Sequence, residues 1–350
     1  MRIAYEVWKP GARARNIINI ANDICADYKT QGYDLTLRQL YYQFVARDHL
    51  PNTSQSYKRL GDIINRARLA GLMDWDYIVD RTRGLKGTSH WETPSEVIDS
   101  AAHSYRLDKW SDQDTRVEVW VEKEALAGIV QRAAGRWDLN WFSCRGYVSQ
   151  SALWRAGAQR HAGYLEQGQN VVILHLGDHD PSGIDMTRDI RERVQRFAYT
   201  AWAEDNGYPL DLDLDEVDLA VQLERAAEFI TDELRSEFVT EPIEVRRIAL
   251  NMDQVRQYNP PPNPAKITDS RAKGYIREHG RQSWELDALD PNVLADLVDE
   301  HVSGIVDQDR YDTIRDQEQR ERDTLANIAQ AYPAIEAQYG PDADGDDNES

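Results

Sequence analysis

Apolar positions in the first third of the chain recur with helical spacing. Leu37, Leu40, Tyr41, Phe44 and Val45 fall on one face of a helix predicted from Leu37 to about Arg47, and Thr36 followed by Gln39 is a capping-box signature for its start. Each residue advances about 100°, which carries Tyr42 out of the apolar stripe. Its hydroxyl is therefore expected to be available, with Arg38 one turn earlier on the same side. A second helix, about Ser54 to Ala70, is expected to bury Tyr57, Leu60, Ile64 and Ala67 and to turn Lys58, Arg59 and Arg66 outward. Gly71 stops it, Tyr77 to Val79 reads as a short strand, and Arg81 to Gly87, with Arg83 and Lys86, reads as a basic loop. Helix, basic helix, strand and basic loop in that order resemble a winged helix laid against DNA.

From Thr115 to about Ala201 the pattern changes to extended apolar runs separated by helices, which predicts an α/β domain with a parallel sheet. Val117, Val119 and Val121 alternate with Glu118, Trp120 and Glu122, so Glu122 ends a strand, and a helical pattern begins near Lys123. A short strand is expected over Trp141 to Cys144, then a turn at Gly146 and a helix from about Ser151 to Leu165. Val171 to Leu176 is uninterruptedly apolar, the mark of a strand covered on both faces. The polar stretch Asp108 to Asp114 is the expected boundary. It separates a helical domain, 1–110, from an α/β domain with a C-terminal extension, 115–335, in which Val217 to Leu223 and Val245 to Leu250 read as strands.

Composition sharpens this picture. The 350 residues carry 41 basic and 61 acidic side chains, a net charge of −20, which argues against a nucleic-acid partner until the charge is located. Gly340 to Ser350 is acidic and nearly devoid of apolar residues, and reads as a disordered tail. Between Gln55 and His90, seven basic side chains outnumber four acidic ones, and Lys266, Arg271 and Lys273 belong to a second basic stretch. Two cysteines, Cys25 and Cys144, cannot build a disulfide framework or a four-thiolate zinc site, so any metal must sit on carboxylates or histidines. With no apolar run of about 18 residues and no apolar signal core at the N-terminus, a soluble cytoplasmic protein is expected, with no membrane contact.

The chemistry concentrates where a strand ends. Val171 to Leu176 delivers Gly177-Asp-His-Asp-Pro-Ser-Gly183 into a turn, and ligands of open parallel sheets bind at the carboxyl ends of strands. Asp178 and Asp180, two apart in an extended stretch, point the same way, and Glu122 reaches the same rim if the two strands are neighbours. Each acid alone is as readily explained by turn chemistry or simple exposure. Together they form an oxygen-only set that suits Mg²⁺. His161, His175 and His179 lack metal-ligand spacing to one another, and only His179 is placed near the site.

Glu122-Lys123 after a Val-rich strand, Arg145-Gly-Tyr147 before a helix and Gly177-Asp-His-Asp-Pro-Ser-Gly-Ile184 resemble the TOPRIM domain of the A subunit of topoisomerase VI and its relatives that make meiotic double-strand breaks. Arg38-Gln-Leu-Tyr-Tyr42 is similar to that family's nucleophile motif, carried on a winged-helix domain, and Trp284-Glu-Leu-Asp-Ala-Leu289 resembles its C-terminal Glu/Ala/Leu motif. The chain is shorter and more acidic than the usual A subunit and looks like a reduced, free-standing version. The resemblance implies Tyr42 as nucleophile, Glu122, Asp178 and Asp180 as Mg²⁺ ligands, double-stranded DNA as substrate and a homodimer that cuts both strands, leaving 5′-phosphotyrosyl links. Arg38 would favour the phenolate, and Lys58, Arg59, Arg66, Arg81, Arg83 and Lys86 would meet the phosphate backbone. The family works with a separate ATPase subunit. The chain has no Gly-x-x-x-x-Gly-Lys-Ser/Thr loop, so ATP would need that second protein. Two other readings use the same residues: a nuclease in which the acids activate water and Tyr42 is a bystander, and a DNA-binding protein without catalysis.

Overall fold

The computed structural model describes residues 2–79, 88–207 and 242–339. The chain forms two compact units, Met1–Arg83 with Asp114–Ile305, and Gly84–Gln113 with Val306–Ser350. The basic loop with Arg81, Arg83 and Lys86, the strand expected over Val217 to Leu223 and the acidic tail lie outside the described residues.

The first unit begins with three helices, α1 (Ala12–Thr30), α2 (Leu37–Ala46) and α3 (Ser54–Leu69). The capping box of α2 forms as expected: the Thr36 side chain accepts from the Gln39 amide, and the Gln39 side chain accepts from the Thr36 amide. Leu60, Ile64 and Ala67 are buried on α3, and Lys58, Arg59 and Arg66 are exposed. Tyr57 departs from expectation: it is 36% exposed, because it sits in the first turn of α3 and lines a cavity described below. The expected strand Tyr77 to Val79 is instead a 3₁₀ turn, Trp75–Tyr77, followed by a single bridge from Ile78 to Leu35. Asp74 initiates that turn by accepting from the Asp76 amide, which diverts the backbone from extended pairing.

The rest of the unit is built on a four-stranded, wholly parallel sheet of order β2-β1-β3-β4, with β1 Thr115–Val121, β2 Asn140–Ser143, β3 Asn170–Leu176 and β4 Ile243–Ala249. α4 (Ala127–Arg136), entered through a 3₁₀ turn at Glu124–Leu126, follows β1. A helical stretch follows β2, made of α5 (Gln150–Trp154), a π-helical turn (Arg155–His161) and α6 (Ala162–Glu166). α7 (Pro181–Asp205) follows β3, and α8 (Met252–Tyr258) follows β4. A short hairpin, β5 (Asn263–Pro264) with β6 (Gln282–Ser283), brackets α9 (Ala272–His279), and α10 (Pro291–Ser303) completes the unit.

Helices on both faces explain why β1 is buried along nearly its whole length rather than on alternate residues. Trp120, Val171, Ile173 and Val245 pack under α5–α7, with Ile190, Val194 and Trp202 of α7 opposite. Gly157 sits in the π-helical turn because a Cβ there would lie 2.7 Å from Phe197 Cβ and 2.8 Å from the Val194 carbonyl oxygen. The same face buries Glu118, whose carboxylate accepts two hydrogen bonds from Arg160 (2.6 and 2.9 Å) and one from the Trp120 indole (2.9 Å), with His161 Nε2 at 3.2 Å.

In the second unit, the helix Pro94–Ser104 packs along the helix Gln308–Tyr339, and Lys109 pairs with Glu318 at 2.6 Å. No helix among the described residues is long and apolar enough to cross a membrane.

Candidate active site

β1 and β3 are neighbours, so the segments that leave their carboxyl ends share one rim. The Glu122 amide donates to the Leu176 carbonyl at 2.9 Å, and Glu122 Oε2 accepts from the Asp178 amide at 2.8 Å. Asp180 caps α7: its Oδ1 accepts from the Gly183 amide at 2.6 Å and from the Ser182 hydroxyl at 2.9 Å. The turn between them is tight enough to require glycine, since a Cβ on Gly183 would stand 2.2 Å from the Asp178 carbonyl oxygen. Arg247 of β4 secures it from below, donating to the carbonyls of Gly177 (2.9 Å), Asp178 (2.5 Å) and Gly183 (2.9 Å). Burial lowers its guanidinium to about 10, against the pull of Glu122, Asp178 and Asp180, so it remains charged at neutral pH.

A second acidic pair reaches the rim from the chain after β6. Glu285 and Asp287 flank Leu286, whose amide donates to Asp178 Oδ1 at 2.8 Å. Asp178, Glu285 and Asp287 could hold a metal ion, because each offers an oxygen and these atoms lie within 4.8 Å of one another. The Lys123 ammonium stands among them, 2.9 Å from Asp178 Oδ1, 2.5 Å from Glu285 Oε2 and 2.8 Å from Asp287 Oδ1. Arg38 enters from α2 and donates to Asp287 Oδ2 at 2.9 Å and to Glu285 Oε2 at 2.8 Å. Two cations thus serve three carboxylates.

Tyr42 belongs to this cluster, but not as an exposed group. It is 5% exposed, as buried as Tyr41 at 4%, because α2 is covered on the side away from its apolar stripe by the 3₁₀ turn Leu286–Ala288. That covering segment lies more than two hundred residues away, so helical periodicity could not reveal it. The hydroxyl meets charge rather than apolar side chains: Arg38 Nη2 lies 3.4 Å away with its guanidinium over the ring, and Glu285 is close enough to act on its protonation. Tyr41 differs, its hydroxyl being tied to the loop before α3 through Thr53 and Asn52.

Electrostatics set the resting protonation. Burial raises the Tyr42 phenol above its ordinary value, and Asp287 and Glu285 raise it further, outweighing Arg38 and Lys123. Arg38 acts on the phenol in the expected direction, lowering it, but burial together with Asp287 and Glu285 prevails. Burial also lifts Asp178, which Lys123 only partly offsets and Glu122 reinforces, and burial lifts Glu122. Glu285 goes the other way, since Lys123 and Arg38 overcome its burial. Burial opposes the charge on Lys123, but Asp287, Asp178 and Glu285 outweigh it and hold the ammonium protonated.

A cavity of about 530 Å³ opens beside the cluster, lined by Arg38, Tyr42, Asp180 and Glu285 together with Tyr57, Lys58, Lys266 and Trp284. His179 is near the site as expected, though as a packed core group: its Nδ1 pairs with the Tyr275 hydroxyl at 2.9 Å, and burial lowers it to about 4. Arg59 and Arg66 stand elsewhere on α3, Arg66 stacked over Trp8 at 4.5 Å. Arg271 is committed to Asp185, Asp269 and Tyr147.

The acids whose oxygens gather among the described residues are Asp178, Glu285 and Asp287, so of the three expected ligands only Asp178 belongs to the convergent set, while Glu122 and Asp180 stand beside it on the rim. Glu122 Oε1, Asp178 Oδ2 and Asp180 Oδ2 accept no hydrogen bond among the described residues, and a set made of oxygen alone suits a hard dication. Sequence reasoning passed over Glu285, Asp287, Lys123 and Arg247 as site residues. Glu285-x-Asp287 repeats the spacing of Asp178-x-Asp180, a signal that was legible. Arg247 gave none, standing beside Arg246 in a run that reads as half-solvated. No protein-family model, curated protein or solved structure matches the chain.

Proposed function

We propose that the chain is a divalent-metal-dependent DNA-cleaving transesterase, in which Tyr42 attacks a backbone phosphate and retains it as a 5′-phosphotyrosyl link. We read the parallel sheet and its acidic rim as a TOPRIM domain and the first three helices as a winged-helix domain. The observation that carries this reading is the lining of one cavity by Tyr42, Arg38, Asp180 and Glu285, with Lys58 and Lys266 supplying positive charge.

Glu122, Asp178 and Asp180 would hold the ion, which when bound polarises a phosphoryl oxygen and stabilises charge on the leaving oxygen. The chain's own residues do the rest. A phosphate entering the cavity competes with Glu285 and Asp287 for Arg38, as guanidinium–phosphate pairing is bidentate and charge-assisted. Glu285, relieved of one of its two cations, then accepts the phenolic proton. The P–O bond to Tyr42 forms as the bond to the 3′ oxygen breaks, and that oxygen takes a proton from solvent. Lys58, Arg59 and Arg66, exposed along α3, meet the neighbouring phosphates.

One observation favours a second reading. Tyr42 is buried and held protonated, which suits a nuclease that activates water at the same acids and leaves no covalent link. Supercoiled plasmid incubated with protein and Mg²⁺ and quenched in detergent separates the two. Transesterification leaves protein on the DNA and none with Tyr42→Phe or Asp178→Ala; cutting that persists in Tyr42→Phe with no attached protein establishes hydrolysis.

A further inference from the structure

We infer that the cavity beside Tyr42 is a receptor for one unstacked nucleobase, so that the strand acted on carries an unpaired or flipped-out nucleotide next to the phosphate that reacts. This rests on the reading of the site as DNA-cleaving and narrows it from duplex DNA to DNA with a locally opened pair. The cavity's volume of about 530 Å³ falls among the small-ligand clefts of roughly 300–1,000 Å³, too small for a double helix and ample for a single nucleotide.

The walls divide by chemistry. Tyr57, 36% exposed, offers flat aromatic surface, Trp284 closes the wall behind as a buried ring, and Pro264 adds an apolar face from β5. Asn52 and Asn263 meet across the cavity, Asn52 Nδ2 donating to Asn263 Oδ1 at 2.6 Å. Asn263 Nδ2 carries no hydrogen bond among the described residues, which leaves a carboxamide donor for the edge of a base. Lys266, with a side chain 73% exposed and 3.9 Å from Asp180 Oδ2, marks the phosphate side.

Aromatic faces, a carboxamide edge and a cation beside a reactive phenol are the features that hold an extruded base and its phosphate. A base stacked in a duplex shows neither its faces nor its pairing edge. The exposure of Tyr57 fits the same reading: a large ring in the first turn of a helix stays 36% exposed although Tyr41 packs against it at 5.3 Å.

The test is equilibrium binding of the full chain, by fluorescence anisotropy in the presence of Ca²⁺, to a labelled duplex and to the same duplex with one unpaired nucleotide. We expect the unpaired probe to bind about tenfold or more tightly than the duplex, since stacking of one base on an aromatic side chain is worth that much. Tyr57→Ala and Asn263→Ala should each remove most of the preference while duplex affinity stays within about twofold, and Tyr57→Phe should retain it. Equal affinity for the two probes, or a preference that survives both alanine variants, overturns the inference. Cleavage is not read in this experiment. A preference with no cleavage in any assay would remove the transesterase reading and leave the base receptor standing, whereas cleavage without a preference would do the reverse.

Discussion

Lys123→Met isolates the role of the ammonium among the acids. The substitution keeps the length and apolar stem of the side chain and deletes a charge that touches Asp178, Glu285 and Asp287 at 2.5–2.9 Å. Arg38 still reaches Glu285 and Asp287, so the Asp178 carboxylate loses the one cation that pairs with it among the described residues. Removing one partner of a buried ionic cluster costs about 3–5 kcal/mol. Lys123 is 18% exposed, so solvent screening reduces this little. For a unit of this size each kcal/mol lowers Tm by about 2–4 °C, which places the expected loss at roughly 6–20 °C in EDTA. A divalent ion that takes the ammonium's place among the carboxylates should restore about 2.7 kcal/mol at a concentration a hundredfold above its Kd. The assay is thermal unfolding of wild type and variant in EDTA and across a Mg²⁺ and Mn²⁺ series. A variant within about 2 °C of wild type would refute the buried-cluster energetics, and a large loss that neither ion recovers would refute a cation site at these three acids.

Glu118 supplies a pH test. His161 and Arg160 overcome its burial and hold it below its usual value near 4.5. With the folded-state value depressed, its stabilisation is present above that pH and is lost as pH falls through the folded value. Glu118→Gln should therefore cost about 3–5 kcal/mol at pH 7 in urea unfolding, leaving Arg160 and His161 without their acid, and the gap from wild type should narrow as pH falls below 4.5. A gap that is constant with pH would contradict the pairing. Gly183→Ala places a methyl against the Asp178 carbonyl and must shift the acidic turn, at a cost of about 1–3 kcal/mol; we expect DNA cleavage to fall at least tenfold while DNA affinity in EDTA holds within about threefold. Unchanged cleavage would show that the turn tolerates movement.

What the sequence disclosed follows the range of the interactions involved. The capping box at Thr36 and Gln39 and the apolar run that became β3 are local, and the pattern announced both, whereas the pairing of β1 with β3 that joins Glu122 to Asp178 across 56 residues stood only as a condition. The parallel order of the sheet follows from helices between strands. The burial of Tyr42 was hidden because its cover, Leu286–Ala288, comes from the far end of the unit. The π-helical turn at Arg155–His161 was hidden as well, since its cause is the close approach of α7 at Gly157 rather than anything in its own periodicity. Lys123 was read as the start of a helix, and only the gathering of Asp178, Glu285 and Asp287 around it shows what its charge does.

The proposed transesterification requires the Tyr42 oxygen to become bonded to DNA phosphorus. Detergent-trapped protein–DNA adducts, digested with nuclease and protease and analysed by mass spectrometry, test it directly. The account predicts a nucleotide-mass addition on the peptide spanning Arg38 to Arg47, at Tyr42 and not Tyr41, and its loss in Asp178→Ala. Adduct on any other residue, or cut DNA with unmodified Tyr42, would contradict it.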